Sequence, residues 1–302
     1  MGIIKCMSST ILNYFKLVRI PNIFTTISNI LLGYIFFTSL EHFDYFEIFK
    51  LISISIFLYI GGMILNDYFD IKIDKKERPW RPLPSNQIAK KNALIITFIS
   101  FLYSLIFSFI IGWYTFIITS TMVTLIFSYN RFLKNTIFGP INMGIIRSLN
   151  VLLGASQSMF LIGDIIDTRF FIPLFSEFLY VSAITILSQN ETKDFFRSLL
   201  NNFPFIIIYV LIFYISIFII MGTFSYDSLI PLIIFACFII YSHINLFKKI
   251  ATTQKSVSRL ITMIVILDSI FITDALGVYY SLILALILIT PIIFLSRKVY
   301  MS

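Results

Sequence analysis

Four acids and five bases crowd into NDYFDIKIDKKERPWRPLP, residues 66–84. Asn66, Asp67, Asp70 and Asp74 follow an i, i+1, i+4, i+8 spacing, which on a continuous helix gives the three carboxylates one face. Like charges at that spacing repel, and nothing in helix stability asks for them. A divalent cation removes the conflict. Oxygen donors suit Mg2+, which commonly joins one or two carboxylates to the phosphates of a substrate. Lys72, Arg78 and Arg81, interleaved with the acids and just behind them, would take up the remaining charge of such an anion. A solvated loop of mixed charge is the plainer alternative for the same stretch.

The flanks show what must position these groups. The preceding LISISIFLYIGGMIL (51–65) carries no charge, and KNALIITFISFLYSLIFSFIIGWY comes soon after. Of the 302 residues, 58% are hydrophobic and 13% charged, against about 25% charged in an ordinary soluble domain. Apolar runs at 20–39, 46–66, 92–111, 113–130, 141–162, 170–189, 204–222, 228–247, 259–277 and 280–296 are long enough to cross a hydrocarbon core of ~30 Å as helix. The expected architecture is all-α: one polytopic transmembrane helical bundle over residues 1–302, with nine to ten spans. The first run lacks a small-residue cleavage site and reads as an anchor.

Charge gives the orientation. With the amino terminus cytoplasmic, the inner connections hold twenty of the 23 basic residues, the positive-inside pattern of a multi-pass protein. The cell membrane is the expected location, with the charged stretch at the cytoplasmic face. The net charge of +8 then reflects topology and anionic lipid head groups, not a nucleic-acid surface. Cys6 and Cys237 imply no disulfide.

Some polar residues fall inside spans. Arg147 and Asn150 lie about one turn apart on the fifth. A buried arginine in lipid is costly, so it should face the bundle interior. There it would contact either a diphosphate or acidic acceptor, or a neighbouring helix through Glu177. Asp268 and Asp274, six apart, fall on different faces of the ninth span.

N-D-x-x-D-x-x-x-D at the end of the second span, followed by Arg78-Pro79-x-Arg81-Pro82-x-Pro84-Ser85, resembles the UbiA superfamily of intramembrane prenyltransferases. Arg19-x-Pro21-Asn22 is similar to that family's opening element, and Tyr129 with Leu133-Lys134 to the motif closing its fourth span. Asn86 stands where the family usually has glycine; asparagine is the next most tolerant of φ > 0, so the turn is expected to survive. A second aspartate motif should close the sixth span. LSQNETKDFFRSLLNN (187–202) offers Glu191 and Asp194 there, with Arg197 in place of the next acid. GPINMGIIRSLNVLLGAS (139–156) and the LSQNE stretch resemble the EboC-like branch of the superfamily.

The resemblance implies Mg2+-dependent transfer of a prenyl group from a polyprenyl diphosphate to a lipophilic or aromatic acceptor. Asp67, Asp70, Asp74, Glu191 and Asp194 are the expected metal and catalytic residues. Asn66, Lys72, Arg78, Arg81, Lys134 and Arg147 are expected at the diphosphate, and Asn22, Tyr129 and Asn150 at the substrate. An intramembrane terpene cyclase, or a non-catalytic carrier of prenylated precursors, are the alternatives.

Overall fold

The structure, a computed structural model, describes residues 11–38, 43–157, 168–189, 197–297 and 299, with the backbone alone for 197–201. Every regular element it describes is helical: α1 (Ile23–Phe37), α2 (Tyr45–Phe69), the short α3 (Ile71–Glu77), α4 (Lys90–Ile111), α5 (Trp113–Ser128), α6 (Phe138–Gly154), α7 (Phe171–Gln189), α8 (Arg197–Ile220), α9 (Leu229–Phe247), α10 (Thr253–Thr262), α11 (Ile264–Leu276) and α12 (Val278–Ser296). Among the described residues nine helices are long and apolar enough to cross a membrane, with α10 and α11 counted together. At 17 residues, α6 is shorter but occupies the place of the expected fifth span. This is an integral, multi-pass membrane architecture.

The boundaries reflect local chemistry. Asp44 caps α2, accepting from the Phe46 N–H at 2.8 Å. Gly277, at φ +80°, closes α11 and lets the chain reverse into α12. That reversal divides 259–296 between two spans, α10–α11 and α12, and not one.

Burial sorts the helices into centre and rim. In the most apolar windows, 61% of residues are buried for the first span and for α7, and 78% for α10–α11, against 22% for α4 and α5. Helix α1 lies at the centre, packed against α2, α6, α11 and α12. Its crossing with α6 is close because both helices place glycine there. A Cβ on Gly33 would lie 1.9 Å from the Val151 carbonyl oxygen, and one on Gly154 2.3 Å from that of Ile30. Lipid supplies no hydrophobic force between helices, so close van der Waals approach over small residues must do the joining. Polar ties add direction: Ser55 donates to Asn150 Oδ1 at 2.7 Å, and Asn150 Nδ2 donates to the Thr26 carbonyl at 3.0 Å, joining α2, α6 and α1.

Candidate active site

Between the central helices lies a cavity of about 500 Å³, and most of the sequence motifs meet at its wall. Its mouth is charged and its depth is largely apolar, with Leu58, Met122, Ile126, Met143, Ile184 and Ile264 among the lining residues.

The mouth is assembled where three chain segments meet. The first is the entry to α1. Arg19 holds a left-handed backbone, φ 50° and ψ 57°, before the single 3-10 turn Ile20–Asn22, a conformation costly for a non-glycine residue and kept where surroundings fix it. Its guanidinium donates to Asp67 Oδ1 at 2.9 Å.

The second segment is the end of α2. The expected uninterrupted helical face is broken here: α2 ends at Phe69, Asp70 caps it, and the chain starts again as α3. Asp74 therefore turns to Arg81, which donates to Asp74 Oδ2 at 2.8 Å and lies 3.4 Å from Asp67 Oδ1. Both Arg81 and Asp67 are fully buried. The loop that delivers Arg81 closes through Ser85, which donates to the Arg81 carbonyl at 2.7 Å. Asn86 comes next at φ +58°, so asparagine does hold the left-handed turn here.

The third segment lies beyond α5. Residues Tyr129–Leu133 form a wide turn, with Lys134 N–H donating to the Tyr129 carbonyl five residues back at 2.9 Å. The extra residue in that turn changes the direction in which Lys134 points. Tyr129, Asn130 and Lys134 all line the cavity. Lys134 donates to Asn66 Oδ1 at 3.2 Å and pairs with Asp70, while Asn66 Nδ2 donates to Asn130 Oδ1 at 3.0 Å. Burial pushes the Lys134 ammonium below its ordinary range, and Asp70 partly holds it up.

Asn22, Asn66, Asp70, Asp74, Arg78, Arg81, Tyr129, Lys134, Arg147 and Asn150 thus all reach the cavity wall. Asp67 stands just behind it, bonded to Arg19 and Arg81. Lys72 does not reach it. Two residues before inward-facing Asp74 on α3, it projects to solvent on the far side of the helix, and so is a surface charge and not a cavity cation. Glu191 and Asp194 lie outside the described residues. Arg147 lies at the cavity wall and its Nη1 donates to Asn29 Oδ1 at 3.2 Å, an interhelical bond to an amide in place of the expected one to Glu177. Sequence reading passed over Asn130 and Gln189, and gave Arg19 no role in the site; of these, Arg19 alone carried a signal, its place in the opening element.

Whether these residues fit Mg2+ turns on the carboxylates left over. No group of three acids close enough to hold an ion occurs among the described residues, and Asp74 is committed to Arg81. Asp67 Oδ2, however, is buried without a hydrogen-bond partner, and Asp70 stands at the wall with Oδ2 on Lys134, a cation that a bound metal would displace or share. Two carboxylates are what Mg2+ commonly takes from protein when phosphate and water complete its shell. The donors fit.

The fold and site define a class: a helical bundle in the membrane with paired acids and bases at the mouth of an internal cavity. Residues 26–266 match the UbiA prenyltransferase family, and the chain belongs to that family. A digeranylgeranylglyceryl phosphate synthase of Sulfurisphaera tokodaii is 33% identical over 147 residues, 49% of this chain and 50% of that protein. The chain thus spans about half the length of that curated relative. The fold is shared with a UbiA homologue of Aeropyrum pernix K1 (TM-score 0.66, 13% identity, 84% of this chain and 97% of the other). It is shared as well with an Archaeoglobus fulgidus homologue bound to DMAPP and Mg2+ (TM-score 0.60, 15% identity, 89% and 99%).

Proposed function

We propose that the protein is a Mg2+-dependent prenyltransferase, moving a prenyl group from a prenyl diphosphate to a lipophilic or aromatic acceptor within the membrane. The observation that carries this is the charge balance of the mouth. Among the described residues Asp70, Asp74 and Glu77 line the cavity with Arg19, Arg78, Arg81, Lys134 and Arg147, and Asp67 stands just behind them on Arg19 and Arg81. The acids thus offset most of the fixed positive charge that a diphosphate would meet, and at low dielectric an uncompensated anion is strongly disfavoured. It must arrive with cations of its own, and Asp67 and Asp70 are placed to accept them.

Bound Mg2+ would neutralise the charge that develops on the departing diphosphate. Asp67 and Asp70 would hold it, and we assign Glu191 and Asp194 to the same task on the resemblance of their motif. Arg78, Arg81 and Lys134 supply fixed donors to the phosphate oxygens, while Asn66 and Asn130 fix Lys134 and its partner Asp70. The apolar depth takes the isoprenoid tail and keeps water from the reacting carbon. Asn22, Tyr129, Arg147 and Asn150 are left to orient the acceptor. The relative from Sulfurisphaera is by name a synthase of digeranylgeranylglyceryl phosphate, so a glycerol phosphate acceptor belongs beside aromatic ones in any trial. We assign the mouth to the cytoplasmic face of the cell membrane on the distribution of basic residues.

The test is diphosphate release from prenyl diphosphates of several chain lengths by purified protein with Mg2+, with and without acceptors. Release should require Mg2+ and fall by about 10²–10³ in Asp67→Asn and Asp70→Asn, the loss of an interaction worth ~3–4 kcal/mol at the transition state. Glu191→Gln should fall likewise. Release without any acceptor, accompanied by cyclic products, would instead favour a cyclase. The second motif, with Arg197 where an acid is usual, favours a carrier as the second reading: Mg2+-dependent binding with no release under any condition would establish it.

A further inference from the structure

Beyond the mouth, four helices bring ionisable and amide side chains together in the middle of the bundle: Asn29 on α1, Arg147 on α6, Glu177 on α7 and Asp268 on α11. Asn29, Glu177 and Asp268 are each 0% exposed. Asn29 Nδ2 donates to both oxygens of Asp268, at 3.2 and 3.1 Å, while its Oδ1 accepts from Arg147 Nη1 at 3.2 Å. Both oxygens of Asp268 are thereby met by one amide. Glu177 is in a different position. It is a neighbour of Asp268 and Asn29, yet no donor among the described residues meets either of its oxygens in hydrogen-bond geometry.

Three nearby hydroxyls are engaged elsewhere. Tyr180, almost one turn along α7, donates to the Leu260 carbonyl at 2.8 Å. Ser176 donates to the Ile172 carbonyl at 2.7 Å, and Tyr59 of α2 gives its hydroxyl to the Arg19 carbonyl at 3.2 Å. Two carboxyl groups that face each other can make a hydrogen bond only if one carries a proton. Two ionised acids against one guanidinium would also leave a net charge in the least polar part of the bundle, where such a charge is expensive.

We propose that Glu177 is a neutral carboxylic acid in the resting protein, donating its proton to the Asp268 carboxylate, so that the pair holds a single proton and balances Arg147. The cluster is then electrically neutral, which permits Arg147 to remain buried while one side of it borders the cavity. Glu177 and Asp268 are positioning residues: they act on the cavity through Arg147 and Asn29. The proton is part of the resting structure and is independent of whether the site transfers prenyl groups.

Infrared difference spectroscopy on the purified full chain in lipid nanodiscs at neutral pH reads this directly, without substrate. One protonated-carboxyl carbonyl band, shifted by deuterium exchange, is expected. Glu177→Gln should remove it while leaving unfolding temperature near the wild type, because glutamine is neutral like the acid it replaces. Asp268→Asn should also remove it, since Glu177 must then ionise to balance Arg147. Glu177→Asp should restore a band, and Arg147→Met should add a second as Asp268 takes up a proton. No carboxyl band in the wild type, or a band unmoved by Glu177→Gln, would overturn the proposal. Failure of prenyl transfer would leave it standing.

Discussion

Arg81 is the residue on which the mouth depends most, and its removal gives the sharpest stability test. Its guanidinium is fully buried, 2.8 Å from Asp74 Oδ2 and 3.4 Å from Asp67 Oδ1. In Arg81→Ala, Asp67 keeps Arg19 at 2.9 Å, but Asp74, 2% exposed, faces a cavity where its cation stood. Breaking a buried pair from one side typically costs about 3–5 kcal/mol, because the remaining charge is stranded. At ~2–4 °C per kcal/mol for a chain somewhat smaller than this one, the unfolding midpoint in nanodiscs should fall by on the order of 10 °C. The second half of the test separates charge from packing. Asp74→Asn in the Arg81→Ala background neutralises the stranded acid, so the double variant should recover a good part of the loss. Arg81→Lys keeps the charge without the planar fork that spans two carboxylates, and should fall between. An Arg81→Ala midpoint within about 2 °C of wild type would refute the reasoning, as would a double variant no more stable than the single one.

The same geometry sets two further outcomes. Lys134→Met removes the donor shared by Asp70 and Asn66, and should weaken Mg2+-dependent prenyl diphosphate binding by about tenfold or more, given ~1.5–3 kcal/mol for a hydrogen bond to a charged group; calorimetric titration measures it, and unchanged affinity would remove Lys134 from the site. Gly33→Ala and Gly154→Ala each drive a methyl into a backbone carbonyl, whereas Gly62→Ala meets only the Ile126 side chain at 3.2 Å. The first two should lower the yield of folded protein and the third should not, as size-exclusion profiles would show.

How much of this was legible in the sequence depends on the kind of signal. Span positions rest on length and apolarity, which lipid imposes residue by residue, and all ten apolar runs coincide with helix in the described residues. Motif residues also survive, because the chemistry that selected Asp70 or Lys134 by type is the chemistry that brings them together. Extrapolation of helical period past a break is what failed. The helix ends at Phe69, yet Asp74 still meets Asp67 through Arg81, whose Nη1 reaches both carboxylates; it is Lys72, exposed on α3, that leaves the group. Asp70 sits at the junction of two helices, and no local propensity announces that junction. Asn130 was illegible for a related reason: only the wide turn at Tyr129–Leu133 aims it at Asn66.

The central cluster shows a different limit. Arg147, Glu177 and Asp268 each stood out in the sequence as polar groups at membrane depth, but Asn29, which ties them, is an ordinary polar residue 118 positions from Arg147 and 239 from Asp268. Sequence spacing tells which residues share a helix face; it carries nothing about which faces meet. Charge neutrality does. At the mouth, the acids among the described residues offset most of the bases, so a diphosphate must bring cations of its own. In the centre, one base faces two acids, so the protein must supply a proton. The same requirement, that low dielectric admits no unbalanced charge, therefore assigns a metal to one site and a proton to the other.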